Sequence, residues 1–428
     1  MSDEQHRPPL PDCTTGEVTD PYPIRTIHPD ELTAWLRMVA DTWGQDYSDQ
    51  DVEDLRALIG PDLDRMLGAF DGDQPVGATG YHRRLLTLPG GRPTPIAAVN
   101  WVGVSPTHRR RGLLTALTRR QLTELHESGA EPIAVLTASE AAIYGRFGYG
   151  IAGTRLRLTV DSRNAAFTPA AGGAPAGGAL GAVRRVPVAD ARPLITPVYE
   201  AVRTTTVGWL DRPDRFWHTR FDDPEHQRDG ATALRVVVHG APDGYAIYRL
   251  GHQKVHLVEL AATTPASHAA LWRYLLDLDL HPAVECDAAP DEPLLHLLLD
   301  HGAAAATVHD QLHVRLVDLG RALRARAYSA PVDVVLEVTD RFCPWNSGRH
   351  HLAADPGGVS CEPTGAPADL RLSAAELGAV YLGGTSLAAL AAAGRVEELR
   401  PGAVARAAAA FRGEREPFYP GGEVFPVY

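Results

Sequence analysis

The sequence predicts an α/β protein, of the α+β kind, divided into two to four domains. Three observations carry this. A chain of 428 residues exceeds what a single hydrophobic core usually supports. Its apolar pattern switches repeatedly between a period of two and a period near 3.6, as in a mixed sheet with helices on its faces. The stretch AAFTPAAGGAPAGGALGA at 165–182 has neither charge nor apolar period, and reads as a linker or exposed crossing loop. With 44% hydrophobic and 22% charged residues, the composition is that of an ordinary folded chain.

Residues 1–22 read as a flexible leader. Asp30 is placed to cap a helix that carries Leu32, Trp35, Leu36 and Val39 on one stripe, and a second helical pattern covers roughly 50–60. RMLGAFDGDQPVGATGYHRRLLTLP reads as two strands about the Asp71-Gly72 turn. IAAVNWVGV is a third strand, ending near Val104. Arg109 to Glu127 reads as a helix with Leu113, Leu114, Leu117 and Leu125 on its apolar side. A strand at 132–137, a short helix around 139–146 and a strand from Tyr149 to Val160 complete a first unit, 23–162. After a linker at 163–183, a second unit (184–308) holds ALRVVVHG, DGYAIYRL and KVHLVELAA, then a helix with Leu271, Trp272, Leu275 and Leu276. This order loosely repeats the first unit. A third unit (309–428) opens with HVRLVDL and VDVVLEV, continues through DLRLSAAELGAVYLGG and a helical AAAGRVEEL, and runs to Tyr428 with no polar tail. An apolar end of this kind suggests a docked terminus.

A net charge of -12 argues against nucleic acid as a partner and permits a cationic substrate. No apolar run approaches the length that spans a bilayer, and the N-terminus has no signal core. Four cysteines form no CxxC pair, so a reducing, cytoplasmic setting is expected. The 18 histidines make no HExxH spacing, His350-His351 reads as an exposed pair, and no metal is expected. No G-x-S-x-G marks a hydrolytic nucleophile.

The strongest motif is VGVSPTHRRRGLLTALTRR at 102–120. A strand, a loop and a helix N-terminus follow one another, exposing backbone N–H groups to an anion. Gly112 has no side chain to block the backbone, and Arg109, Arg110 and Arg111 add positive charge. A pyrophosphate fits. Neither the Gly-Lys-Ser/Thr of a nucleotide loop nor G-x-G-x-x-G is present.

Arg109-x-x-Gly112 after a strand resembles the acetyl-CoA loop of the GCN5-related N-acetyltransferases (GNAT), usually Gln/Arg-x-x-Gly-x-Gly/Ala; here Leu114 stands at the last position. VSPTHRRRGLL, the segment ASEAAIYGRFGYG at 138–150 and the loosely repeated second unit together resemble the Eis (enhanced intracellular survival) family of actinobacterial acetyltransferases. The resemblance covers nearly the whole chain past residue 20. It implies tandem GNAT folds, the second degenerate, followed by a sterol-carrier-protein-like C-terminal domain. It implies acetyl-CoA as cofactor, with the pantetheine arm along Val102, Gly103 and Val104. The pyrophosphate then lies on the amides of Arg109, Arg110, Arg111, Gly112, Leu113 and Leu114. It assigns Tyr144 as general acid to the coenzyme A sulfur and the terminal carboxylate of Tyr428 as base toward the amine. It further implies acetylation of aminoglycosides or of lysine side chains, and a homohexamer.

The residues themselves bear on these roles. A phenol with a pKa near ~10 is matched to a thiol leaving group, so Tyr144 suits proton donation. Trp43, Asp46 and Tyr47 are substrate-pocket candidates, since aromatic walls with carboxylates suit cationic amines; Trp35, within the apolar stripe, reads as core. In the second unit AATTPASHAALW replaces the phosphate loop and offers neither glycine nor positive charge, and WLDRPDRFW reads as a core or interface element. The third unit is expected to place Tyr428 and to support oligomerisation. An alternative reading is a non-catalytic acyl-CoA or lipid-binding interaction protein. The amine itself is not specified by the sequence.

Overall fold

The computed structural model describes residues 21–169 and 183–420. Residues 1–20 of the expected leader, most of the expected linker and Tyr428 lie outside the described residues.

The first unit runs β1 (Ile24–Thr26), α1 (Leu32–Trp43), α2 (Asp49–Ile59), β2 (Met66–Asp71), β3 (Gln74–Leu88), β4 (Arg92–Val104), α3 (Leu113–Ser128), β5 (Ile133–Leu136), α4 (Ala141–Tyr144) and β6 (Gly150–Asp161). The second runs β7 (Val183–Val186), α5 (Val188–Arg203), α6 (Asp214–Phe221), β8 (Arg235–His239), β9 (Gly244–Gly251), β10 (Lys254–Ala262), α7 (Pro265–Leu276), β11 (Ala283–Ala288), α8 (Leu294–Leu297) and β12 (Ala304–Leu316). The repeat is therefore complete, element for element. Sequence reading missed β7, α5, α6, β11 and α8 of it. The two prolines inside α5, Pro193 and Pro197, obscure its helical period.

All twelve strands join one sheet, in the order β1-β2-β3-β4-β5-β12-β6-β11-β10-β9-β8-β7. Each unit contributes five neighbouring strands and receives its sixth from the other. β12 lies antiparallel between β5 and β6, pairing with β6 from Ala304↔Val160 to Val314↔Gly150 and with β5 from His313↔Leu136 to Leu316↔Ile133. β6 in turn pairs antiparallel with β11. HVRLVDL therefore closes the second unit, and the boundary expected at 308/309 falls inside β12. A continuous apolar run cannot announce which sheet it joins.

The third unit comprises α9 (Leu319–Ala325), β13 (Val332–Thr339), β14 (Gly348–Asp355), β15 (Gly358–Pro363), β16 (Leu370–Ser373), α10 (Ala374–Val380), α11 (Leu387–Ala392), β17 (Glu397–Glu398) and α12 (Ala403–Phe411). Its sheet has the order β15-β14-β13-β16-β17. α10 begins at a capping box in which Ser373 and Glu376 exchange bonds with each other's amides. The segment AAAGRVEEL is not one helix: α11 ends at Ala392, and Glu397–Glu398 form an edge strand. His350 is buried and bonded to the Asn346 carbonyl (3.1 Å), so the histidine pair is not exposed as expected. Among the described residues no cluster could hold a metal, and no helix is long and apolar enough to cross a membrane.

One hydrophobic cluster spans the first and third units, from Trp35 and Leu86 to Leu372 and Phe411. Glycines permit the closest approach. A Cβ on Gly150, at the start of β6, would lie 1.9 Å from the Ala375 carbonyl oxygen and 2.3 Å from the Ala379 amide of α10. One on Gly378 would lie 2.4 Å from the Val314 carbonyl. Gly150→Ala is expected to cost about 2–3 kcal/mol through overpacking. Thermal unfolding will show this against Gly60→Ala, where nothing lies within 4 Å of the added carbon.

Candidate functional site

β4 and β5 pair in parallel only at Ala97↔Ala134 and Ala98↔Val135, and then diverge. A bulge begins the divergence. Two residues, Trp101 and Val102, oppose the single Thr79, and Trp101 takes a left-handed φ of 60°. Packing imposes that strained backbone. Trp101 is fully buried, stacks on Trp43 at 6.0 Å and lies 6.0 Å from Trp35. Its indole N–H donates to His82 Nε2 (3.2 Å). Indole is only a donor, so His82 is neutral and gives its Nδ1 proton to Asp62 (2.7 Å). Burial holds the His82 pKa below normal despite Asp62. Asp62 also accepts from Arg65 (3.0 Å) and from Arg215 of α6 (2.5 Å), binding the second unit to the base of the site. No local sequence signal marked this network. His82 and Asp62 are 20 residues apart and Arg215 is far beyond.

The loop after β4 offers a run of unspent donors. Ser105 and His108 close its first turn on the Val76 and Ser105 carbonyls. Among the described residues, the amides of Arg109, Arg110, Arg111 and Gly112 donate no backbone hydrogen bond. Arg110 (φ 64°) and Gly112 (φ 84°) both stand in the left-handed region. Space over Gly112 is open, and α3 starts there with no side-chain cap. All three arginines are exposed, with Arg111 tethered to the Tyr22 hydroxyl and the Thr107 carbonyl. Leu113 is buried in the core, so only its amide is available. Leu114 packs with Val102 and Tyr144 against one cluster that includes Leu136. The Val102 carbonyl accepts from the Trp43 indole (3.2 Å), and the Val104 carbonyl from Arg109 Nε (3.4 Å).

Tyr144 ends α4, half-buried, with its ring edge-on to Tyr149 (5.8 Å) and Phe147 (6.5 Å). No hydrogen bond engages its hydroxyl among the described residues. Burial, with Glu140 nearby, pushes its pKa up to about 12, so it remains protonated and can donate. Where β4 leaves β5, Asn100 bonds the Trp101 amide (2.7 Å) while its Nδ2 is buried without a partner.

A cleft of about 400 Å³ opens between the α1–α2 connection and α6 with the loop after it. Asp46, Asp51, Asp222 and Asp229 line it with Tyr47 and Thr219, and so do Arg220, Arg249 and His226. Tyr47 is largely buried and belongs to the core as much as to the cleft, and Trp43 is a half-buried strut on Trp101. Of the three pocket candidates Asp46 is therefore the exposed one. The second unit's acids, Asp222 and Asp229, were not foreseen, because their proximity to Asp46 exists only in the fold.

The second unit keeps the geometry and lacks the loop. β10 and β11 pair in parallel from Lys254↔Ala283 to His256↔Glu285 and then diverge around a cavity of about 380 Å³. There, however, Thr264 and Ser267 form a capping box, Pro265 removes an amide, and the Thr263 amide bonds Asp243. The anion site is closed. Arg415, Glu416, Phe418 and Pro420 line this cavity, and Tyr419 is clamped by Gln311 through both its amide (3.0 Å) and its carbonyl (2.7 Å). Both tryptophans of WLDRPDRFW are core. Between them, Arg212 forms a buried bidentate pair with Glu259 (3.0 and 2.8 Å).

Comparison with known proteins agrees with two repeats followed by a third domain. The family profile described as acetyltransferase (GNAT) domain matches residues 23–152, a second of the same description matches 208–316, and one for a sterol carrier protein domain matches 319–420. An "uncharacterized N-acetyltransferase" of Streptomyces avermitilis is 41% identical over 411 residues, covering 93% of this chain and 99% of the relative. The N-acetyltransferase Eis of Mycobacterium tuberculosis is 38% identical over 336 residues, covering 77% of this chain and 81% of Eis. Among solved structures, Eis1 from Mycobacterium abscessus superposes with a TM-score of 0.80 at 34% identity, over 93% of this chain and 99% of its own. An Anabaena variabilis GNAT protein shares the fold (TM-score 0.80) at 20% identity, over 93% of this chain and 99% of its own.

Gly112→Val places a branched carbon over the open amides at a left-handed φ. It is expected to weaken coenzyme A binding at least about tenfold, by titration calorimetry, and to lower stability by about 1–2 kcal/mol.

Proposed function

This chain belongs to the Eis-like GNAT N-acetyltransferases and uses acetyl-CoA, and on that premise we propose that it acetylates primary amines of small polycationic molecules such as aminoglycosides, or of lysine side chains, by direct transfer in a ternary complex. The observation that carries the substrate class is the acidic cleft. Asp46 and Asp229 line it from two different units, and neither has an ion-pair or hydrogen-bond partner among the described residues. The cleft's four aspartates outnumber the two arginines, Arg220 and Arg249, that also line it, and an excess of carboxylates beside the Tyr47 ring suits a ligand that brings several ammonium groups.

Acetyl-CoA supplies the acetyl group as a thioester. The amides of residues 109–112 hold the diphosphate, and the separated edges of β4 and β5 hold the arm at Val102–Val104. Asp46 and Asp229 draw the ammonium into the cleft. The attacking amine must lose a proton, and the terminal carboxylate of Tyr428 takes it in this reading. Tyr144 holds its own proton at Oη for the departing sulfur; its raised pKa makes it a donor at neutral pH and excludes it as a base. The second unit, with its anion site closed, walls the cleft. The protein acts in the cytoplasm as a homohexamer, for which sedimentation equilibrium is the direct test.

The function is tested by thiol release from acetyl-CoA against kanamycin, neomycin, spermidine and a lysine peptide, with product masses counting the acetyl groups. Amine-dependent release with matching mass gain is expected, and no release with any cationic amine would overturn the reading. Tyr144→Phe is expected to lower kcat by about 10²–10⁴ while leaving coenzyme A affinity unchanged. Asp46→Asn is expected to raise KM for the polycation and to flatten its dependence on salt. A residue appended after Tyr428 is expected to lower kcat, and full activity would remove the carboxylate from the mechanism.

A further inference from the structure

Beneath the tyrosine turn lies a buried cation that the proposed chemistry does not use. Arg315, on β12, is fully buried. Its carboxylate partner is Asp340 of the third unit, at 2.6 Å, with side-chain exposures of 0% and 1%. Arg315 Nε and Nη1 find no oxygen or nitrogen acceptor, and the weakly accepting Cys343 sulfur is a further polar neighbour. A buried charge left partly unsatisfied is a poor stabiliser, because the cost of removing it from water is not fully recovered.

What Arg315 touches suggests its use. A Cβ on Gly148 would lie 2.6 Å from Arg315 Nη1 and 2.8 Å from its Cζ, so the guanidinium rests against the bare Cα of Gly148. Gly148 stands at φ 83° and closes the turn that carries Tyr144. Its amide bonds Gly145, and the next amide, Tyr149, bonds the Tyr144 carbonyl (3.3 Å). The rings flanking Tyr144 rest on the same support. Tyr149 is buried beside the Arg315 charge, and Phe147 packs on Phe342 at 4.9 Å. Asp340 is itself held. Its Oδ1 accepts from the amides of Phe342 (3.2 Å) and Cys343 (2.9 Å), and its Oδ2 from Asn346 Nδ2 (3.1 Å). An unbroken set of contacts thus runs from the third unit, through the strand that the second unit lends to the first, to the residue offered as proton donor.

We infer that the Asp340–Arg315 pair is the positioning element for Tyr144, and that the third unit takes part in catalysis through it. The inference rests on reading Tyr144 as the donor. It makes Arg315 and Asp340 positioning residues, not catalytic ones, since neither reaches the reacting atoms.

The test uses the full-length enzyme and the best acceptor among kanamycin, neomycin, spermidine and the lysine peptide. Asp340→Asn, near-isosteric, and Arg315→Met are compared alone and combined with Tyr144→Phe. A displaced donor is expected to lower kcat by about tenfold to a hundredfold, with KM for acetyl-CoA unchanged. On the Tyr144→Phe background, Asp340→Asn is expected to have no further effect, because what it positions is already gone. Equal fold losses in both backgrounds would overturn the inference and leave the pair a purely structural one, and so would unchanged kcat in Asp340→Asn. Full activity in Tyr144→Phe would defeat the donor reading first, and the inference with it. If Arg315→Met does not fold, Asp340→Asn decides alone.

Discussion

The antiparallel pairing of β6 with β12 is the constraint on which the rest of the molecule depends. Each strand is the last of its own repeat, and each completes the sheet of the other. Without β12, β5 has a bare edge; without β6, so has β11. Unpaired strand edges inside a protein are costly, so neither repeat is a finished fold alone. The pairing joins residues about 150 positions apart and demands a long loop closure before it is rewarded. It also makes the two splays, β4/β5 and β10/β11, fixed features of one sheet.

From that common frame the two repeats diverge by small local changes. Both have parallel strands that separate next to a helix start. In the first, left-handed residues at 110 and 112 leave the loop amides free. In the second, a proline, a capping box and a hydrogen bond to Asp243 consume them. Anion binding at a helix N-terminus depends on unspent donors, so a handful of residues separates the proposed cofactor loop from its counterpart in the second repeat. The emptied role is not wasted space. Arg415, Glu416, Phe418 and Pro420 line the second splay, with Tyr419 close to the buried Arg212–Glu259 pair. Burial raises Glu259, but Arg212 and Arg220 outweigh it and hold the carboxylate ionised. All three units meet at this point.

The proposed site likewise draws on every unit. The first supplies the loop with open amides and the tyrosine. The second adds Arg215 under Asp62 and two acids to the cleft. The third buttresses the tyrosine turn through Asp340 and Phe342. The core of this sterol-carrier-like domain holds the fully buried Arg326, bonded to the carbonyls of Val380, Tyr381 and Phe411.

Local chemistry was legible from the residues alone. RRRG after a strand, IYGRFGYG after the next, and the missing glycine in AATTPASHAALW are each contiguous, and backbone donors at a helix start depend on neighbours in sequence. The strands of the first unit after β1 and the core role of Trp35 followed from periodicity for the same reason. What the sequence could not determine is whatever depends on partners remote along the chain. HVRLVDL has the same pattern whether it opens a third domain or completes a second, because period two records burial and not the neighbour. Asp46 and Asp229 are ordinary surface acids until a cleft brings them together. Arg315 and Asp340 are an ion pair only because an exchanged strand places one beneath a glycine and a second domain delivers the other. Sequence determined which chemistry is available at each position; tertiary structure alone decided which positions share it, since contact is a property of the closed sheet and not of the segments that form it.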